Sequence, residues 1–303
     1  MKNLDLFGNE IINNPLLRDK FIEPPFSVLD TKRGEWQNRK RKWKTLGIKS
    51  ELGRKKTEKK KIDYCKEQEY KKTSDLSYKR ITNVFSYVRT EMSIFDPALC
   101  EVLYNWFCEP QGRVLDPFAG GSVRGIVANY LGYKYTGIDI RKEQVDSNRE
   151  QALKILEVNN QPNWYVGDSN NFLSDYNKKC DFIFSCPPYG NLEVYSKLQG
   201  ELSNMEYPEF LLSYESIIKK SCNLLKQGSY ACFVVGEFRD KEGNYIGFVP
   251  DTINAFKKCG MKFYNEIILL GSISSACMRA SGMMKNKKVA KVHQNILVFK
   301  KTT

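Results

Sequence analysis

From about Arg80 to the C-terminus, short runs of β-branched and aromatic residues alternate with longer stretches of helical periodicity. That alternation is the constraint from which the rest follows, because a strand followed by a helix and then another strand closes most readily as a parallel sheet with helices on its faces. The strand runs are Arg113–Asp116, Lys134–Ile138, Trp164–Gly167, Phe182–Ser185, Tyr230–Val235, Phe263–Leu270 and Asn295–Phe299. Between them the periodicity predicts helices at Pro97–Phe107, Ser122–Tyr130, Lys142–Glu157, Tyr207–Leu225 and Pro250–Cys259. The pattern predicts one doubly wound α/β domain over residues 80–303 with a seven-strand sheet. Its last two strands are joined by a polar, basic loop without a helix, and are expected to form an antiparallel hairpin at the sheet edge.

Residues 1–79 differ in character. Residues 1–30 carry Pro15, Pro24 and Pro25 and read as a loop-rich leader. The rest of this stretch is rich in Lys and Arg, with two charged helical segments, Glu35–Leu46 and Thr57–Lys72. The chain has a formal net charge of +13. Residues 1–79 hold 21 Lys/Arg against 12 Asp/Glu, whereas the other 224 residues hold 27 against 23. The surplus is thus concentrated in a basic N-terminal extension, which points to a polyanionic partner. Nine cysteines at irregular spacing, no C-x-x-C pair and a single histidine, His293, argue against a disulfide framework or a zinc site. No metal is expected. The sequence has no signal-peptide run and no stretch of membrane-spanning length, so a soluble, cytoplasmic protein without membrane contact is expected.

The strongest local motif is V-L-D-P-F-A-G-G-S from Val114, where a strand ends in Asp116 and a turn containing Gly120 and Gly121 leads into a helix. Glycines let a ligand approach the backbone, and the helix N-terminus follows directly. The next strand ends at Asp139, where a carboxylate can accept ribose hydroxyl protons, and the third ends at Asp168. Each acid taken singly is equally well explained as a cap on the following helix. Three in succession, the first on a glycine turn, favour a nucleotide-sized crevice. The G-x-G-x-x-G of dinucleotide enzymes is absent, which argues against oxidoreduction.

The fourth strand ends in F-I-F-S-C-P-P-Y-G, residues 182–190, followed by N-L-E-V-Y-S at 191–196. With the D-P-F-x-G turn, this tetrapeptide resembles the hallmarks of the DNA amino-methyltransferases, over roughly residues 85–300, and is similar to phage and bacterial members. The resemblance implies a Rossmann-like seven-strand sheet with a reversed last strand. It also implies S-adenosyl-L-methionine as cofactor, with Asp116, Phe118, Ala119, Gly120, Gly121, Asp139, Ile140, Asp168 and Ser169 around it. Methyl transfer would go to an exocyclic amine of a flipped adenine or cytosine. Such an amine is a poor nucleophile, because its lone pair is delocalised into the ring. Attack needs acceptors that hold its protons while positive charge develops. In the family one acceptor is the first side chain of the tetrapeptide and another is the carbonyl of its first proline, here Pro187. The aromatic, here Tyr189 after Pro188, stacks on the extruded base.

Here the first position is Cys186 instead of Asp, Asn or Ser. A thiol is a weak acceptor. Three readings stand: a tolerated acceptor, a thiolate nucleophile acting on a pyrimidine ring, or an inert small residue. Ser185 would replace the usual acceptor only with a shifted register.

For target contact, G-E-W-Q-N-R-K-R-K-W-K places Arg39, Arg41 and Lys42 on a cationic helix, with Trp36 and Trp43 docking it on the body. The loop Arg279–Lys291 adds Arg279, Lys285, Lys287, Lys288 and Lys291, which would line a DNA cleft; edge-strand protection against aggregation explains them equally well. His293 is expected to cap or pack near the last strand. Residues Asn3–Phe7 (N-L-D-L-F) resemble a short peptide by which bacterial DNA enzymes bind the sliding clamp. Double-stranded DNA is the expected substrate. RNA of the tRNA type, and a non-catalytic nucleic-acid-binding protein that keeps the fold, are the alternatives.

Overall fold

A computed structural model describes residues 17–48, 95–188, 202–271 and 273–302. Nine α-helices and eight strands are placed among these residues. They are α1 (Leu17–Phe21), β1 (Val28–Asp30), α2 (Gly34–Thr45), α3 (Pro97–Phe107), β2 (Arg113–Asp116), α4 (Val123–Tyr130), β3 (Lys134–Asp139), α5 (Lys142–Ile155) and β4 (Asn163–Val166). Then follow α6 (Ser169–Asp175), β5 (Cys180–Ser185), α7 (Tyr207–Leu224), β6 (Leu225–Val235), α8 (Phe248–Lys258), β7 (Lys262–Leu270), α9 (Ile273–Met284) and β8 (His293–Lys300).

One sheet runs β1-β7-β8-β6-β5-β2-β3-β4. All its pairings are parallel except those of β8, which is antiparallel to both β6 and β7. The doubly wound α/β sheet with a reversed last strand is therefore present. Side chains alternate between two cores, as the period-two geometry of a strand requires. Val114, Phe182, Phe184, Cys232, Val234, Ile296 and Val298 enter one core with α2, α3, α4 and α5. Leu115, Ile183, Ala231, Phe233, Val235, Leu297 and Phe299 enter the other with α6, α7 and α8. Central strands covered on both faces read as continuous apolar runs, which is why F-I-F and A-C-F-V-V were legible.

Local chemistry sets the element ends. Asp96 caps α3 by accepting from the Ala98 N–H at 3.0 Å, and Pro97 starts the helix without an N–H to satisfy. The carboxylate of Glu237, just past β6, accepts from the N–H groups of Gly247, Phe248 and Val249, which open α8. At Gly125 a Cβ would come within 2.5 Å of the Trp164 ring, so α4 lies against the sheet as closely as it does because that residue is glycine.

Three expectations are corrected. The sheet has eight strands, not seven. Val28–Asp30 adds β1 beside β7 through three residues, too short a run to show alternation. The last two strands pair antiparallel as expected, but not at the sheet edge, since β8 also pairs with β6 and β1 lies outside β7. Their connection holds a helix, α9, over I-S-S-A-C-M-R-A-S-G-M-M. Its serines and glycine lower helix propensity and hid it. The short α6 after Asp168 also went unseen. The expected helix Thr57–Lys72 lies outside the described residues.

The basic extension joins the body through α2. Trp36 and Trp43 are buried, and their indole N–H groups donate to Asp96 (3.1 Å) and Glu101 (2.7 Å) on and before α3. Among the described residues no helix is long and apolar enough to cross a membrane.

Candidate active site

In a parallel sheet the strands end together at one edge, and the loops that leave them meet there. Here β2, β3 and β5 are neighbours, so Asp116, Asp139 and Ser185 close the same edge. The turn after β2 and the Cys186-Pro187-Pro188 segment after β5 open side by side.

The turn is built as expected. Gly120 has φ +51°, and open space lies beyond its Cα, with nothing but the Phe118 carbonyl 4.0 Å away. A side chain there would be strained and would fill the crevice. The Gly120 N–H donates to Asp139 Oδ2 at 2.9 Å, and the Arg141 N–H donates to Oδ1 at 2.8 Å. The Asp139 side chain is 12% exposed, so its carboxylate remains at the surface of the crevice. Buried polar groups of α5 and the start of α4 support the turn from behind. Asn148 donates to the Gly120 carbonyl at 2.7 Å, Gln144 donates to Asn148 at 2.9 Å, and Ser122 donates to Gln151 at 2.6 Å. Sequence reading missed these residues, although three amides on one face of a helix beside a glycine turn were a usable signal.

Asp116 occupies a different environment from Asp139. It is fully buried and takes four donors: Arg124 Nε at 2.5 Å and the Tyr135 hydroxyl at 2.7 Å on Oδ2, the Ser185 hydroxyl at 2.6 Å and the Phe118 N–H at 3.2 Å on Oδ1. A carboxylate offers about four acceptor positions, so these donors saturate it. Asp116 is thus a structural hub beneath the turn, with its acceptor positions filled by the chain's own donors. Burial alone would lower the pKa of the Arg124 guanidinium, but the Asp116 charge and hydrogen bond, with Tyr135 and Cys186 nearby, together outweigh that and hold it above its ordinary value. Burial, with Asp116 beside it, pushes the Tyr135 hydroxyl well up, so it stays a donor. Arg124, which sequence reading also missed, donates further to the Phe118 and Ala119 carbonyls at 2.7 and 2.9 Å. Its guanidinium lies 4.6 Å above the Phe95 ring.

The remaining expected residues distribute as follows. Ala119 is buried beside the turn and donates its N–H to the Ile138 carbonyl; Gly121 and Ile140 are half-buried at the same edge. Asp168 caps α6, accepting from the Asn170 N–H at 2.8 Å, and Ser169 donates to the Pro117 carbonyl at 2.5 Å. Ser185 is buried with its hydroxyl on Asp116, which leaves it poorly placed to touch a base. Cys186 is half-buried against the core that holds Phe182 and Phe184, and a charge on its sulfur would be felt at Arg124 and Tyr214. Pro187 is buried and Pro188 half-buried. Tyr189 and residues Asn3–Phe7 lie outside the described residues. Among the described residues no cluster of three His, Cys, Asp or Glu side chains is arranged to hold a metal ion.

The two basic regions occupy different ends of the molecule. Trp36 meets Asp96 near the catalytic edge, whereas Trp43 packs on Tyr130, at the far end of α4, with ring centroids 5.1 Å apart. The helix α2 therefore descends away from the site. Arg39 is paired with Glu101 at 2.6 Å, Arg41 donates to Asn38, and Arg41 and Lys42 are exposed toward the far edge. Lys285 and Lys287 are exposed and Lys288 is half-exposed in the segment between α9 and β8, which leads into the catalytic edge at His293. Lys291 is half-buried there; burial pushes its pKa below the ordinary lysine value against the pull of Glu237. Burial, then Lys291, likewise lowers His293. Beside this segment Arg239 stacks on Tyr245 at 3.9 Å. Arg279 lies on α9, outside the loop expected to carry it.

The family model described as DNA methylase, of the N6/N4 type, matches residues 24–150, about two-fifths of the chain. The match includes the glycine turn and Asp139 and ends before the tetrapeptide. Among solved structures, the chain is similar to TrmN from Thermus thermophilus (TM-score 0.46, 15% identity, 68% of this chain and 49% of TrmN). It is similar to a SAM-dependent methyltransferase from Methanosarcina mazei (TM-score 0.45, 15% identity, 70% and 99%). It is also similar to TehB from Haemophilus influenzae (TM-score 0.42, 18% identity, 73% and 66%). The chain spans about half the length of TrmN. No curated protein matches the sequence.

Proposed function

We propose that this chain, matched to the DNA methylases over residues 24–150, is an S-adenosylmethionine-dependent methyltransferase that modifies an exocyclic amine of a DNA base. One observation carries the proposal: the glycine turn, the Asp139 carboxylate and the Cys186-Pro187-Pro188 segment open at the same edge of the sheet, on adjacent strands.

The residues fit a nucleoside-bearing cofactor. Gly120 leaves open space over the backbone, and Asp139 presents a carboxylate, already anchored to the turn, that can accept ribose hydroxyl protons. S-adenosylmethionine, when bound, supplies an electrophilic sulfonium methyl group. The chain's own residues have the other half of the task. The Pro187 carbonyl and the Cys186 sulfur accept hydrogen bonds from the target amine and favour the geometry in which its nitrogen lone pair is available, and the surplus amine proton leaves to solvent. Phe118, packed on Tyr214 and Phe233 at ring distances of 5.8 and 6.3 Å, holds the floor of the crevice apolar and excludes water. Proximity of amine and methyl group then carries most of the rate.

Nucleoside mass spectrometry of DNA from cells expressing the protein tests this reading. We expect one methylated base, at N6 of adenine or N4 of cytosine. With Cys186→Ala we expect the same product at a rate reduced no more than about tenfold, the weight of one weak acceptor. A methyl group on ring carbon that disappears with Cys186→Ala would instead make the thiol a nucleophile. Transfer to tRNA but not to duplex DNA would move the assignment to RNA.

The cations at the catalytic edge form the better-placed duplex contact. Replacing Lys285, Lys287 and Lys288 with alanine is expected to weaken DNA binding and reduce the salt slope of log Kd by about 2.7, roughly 0.9 for each phosphate no longer neutralised. Replacing Arg41 and Lys42 is expected to have the smaller effect. An unchanged salt slope in the triple variant would remove the assignment.

A further inference from the structure

One buried carboxylate links the turn proposed to seat the cofactor to the strand proposed to hold the base. Asp116 Oδ1 accepts from Ser185, the residue before the tetrapeptide, and Oδ2 accepts from Arg124. Arg124 in turn holds the Phe118 and Ala119 carbonyls, which lead into Gly120. Every member of this chain from Arg124 to Ser185 is buried. The partners lie 8 and 69 residues from Asp116 in sequence, on α4 and β5. A planar guanidinium can hold a carboxylate and two carbonyls in one fixed fork, which an ammonium cannot. We propose that Arg124 and Asp116 are positioning residues that fix the separation between the glycine turn and the end of β5, so that occupancy of the turn is felt at Cys186. This inference rests on the methyl-transfer reading above; it adds Arg124, which no motif singled out, and gives Asp116 a positioning role in place of the cofactor contact its motif suggested.

The arrangement has consequences that a merely structural role lacks. A displacement of about 1 Å between reacting groups can cost on the order of a hundredfold in rate without changing ligand affinity. Ser185→Ala releases only the β5 end, so it should lower kcat about tenfold at saturating substrates while the S-adenosylmethionine Kd stays within about twofold. Arg124→Lys keeps the charge beside Asp116 but loses the hold on the carbonyls, so it should lower kcat and raise that Kd about tenfold each. Because both act through one carboxylate, the double variant should lose less than the product of the two single losses.

Hydrogen exchange supplies a readout independent of turnover. In the wild-type protein, adding S-adenosylmethionine should slow amide exchange at residues 118–121 and also at 183–186. In Ser185→Ala the protection at 118–121 should persist and that at 183–186 should disappear. Equal protection at 183–186 in the two proteins would overturn the inference. So would losses that multiply in the double variant, or a fall in thermal stability with kcat of the folded fraction unchanged. A wild-type protein protected at neither segment would overturn the methyl-transfer reading itself, and this inference with it.

Discussion

Asp139→Ala is expected to raise the dissociation constant for S-adenosylmethionine between about 10- and 100-fold, with little loss of folded protein in the absence of cofactor. The carboxylate ends β3 at the mouth of the crevice and is anchored by the N–H groups of Gly120 and Arg141. Hydrogen bonds to a charged acceptor are worth roughly 1.5–3 kcal/mol each, and 1.4 kcal/mol is a factor of ten in affinity. Removing the charge deletes the acceptor for the ribose hydroxyls and loosens the turn through Gly120, so the upper half of the range is the better expectation. The side chain is partly solvated, so the N–H groups it leaves can turn to water and the fold survives. Calorimetric titration of the variant, with a thermal melt of the unliganded protein beside it, measures both quantities. An unchanged dissociation constant in a folded variant would place the cofactor elsewhere.

Asp116→Ala is expected to fail in the opposite way. Its carboxylate is the counter-ion of a buried guanidinium and accepts two hydroxyls and one N–H as well. Breaking one side of a buried pair leaves an uncompensated charge and costs roughly 3–5 kcal/mol. In a chain of this size each kcal/mol lowers Tm by about 2–4 °C, so a fall of the order of 10 °C is expected before any cofactor is added. Asp116→Asn, which keeps an acceptor for Arg124 but not the charge, should lie between the variant and the wild type. Were Asp116 a cofactor ligand, as its place in the motif suggested, the unliganded Tm would hardly move and only the affinity would fall. The two melts, taken without cofactor, decide between these roles.

These two aspartates show where sequence reading stops. Each ends a strand beside the glycine turn, and by motif alone both were cofactor ligands. Burial separates them: one is saturated by side chains from α4, β3 and β5, the other faces the crevice. Asp168 read the same way and caps α6 through the Asn170 N–H. Arg124 was invisible because a lone arginine on an otherwise apolar helix gives no hint of a partner on another strand. The tryptophans of α2, seven residues apart, did announce a docked face, and both are buried. What their spacing could not reveal was that the helix runs away from the catalytic edge and leaves Arg41 and Lys42 at the far end.

The amino-acid order alone determined the alternation of strands and helices, the acidic strand ends, the glycine turn and the order of the two motifs along the chain. All of these are local, since they depend on side-chain periodicity and on backbone conformations available to glycine and proline. Tertiary structure decided which acid is fully buried and which keeps an accessible edge, that a three-residue β1 extends the sheet, that β8 inserts between β6 and β7, and that Arg124 bridges the turn to β5. Those outcomes depend on donors and acceptors far apart in sequence meeting at one point. Periodicity tells which face a residue occupies, and only the packed sheet tells what stands opposite it.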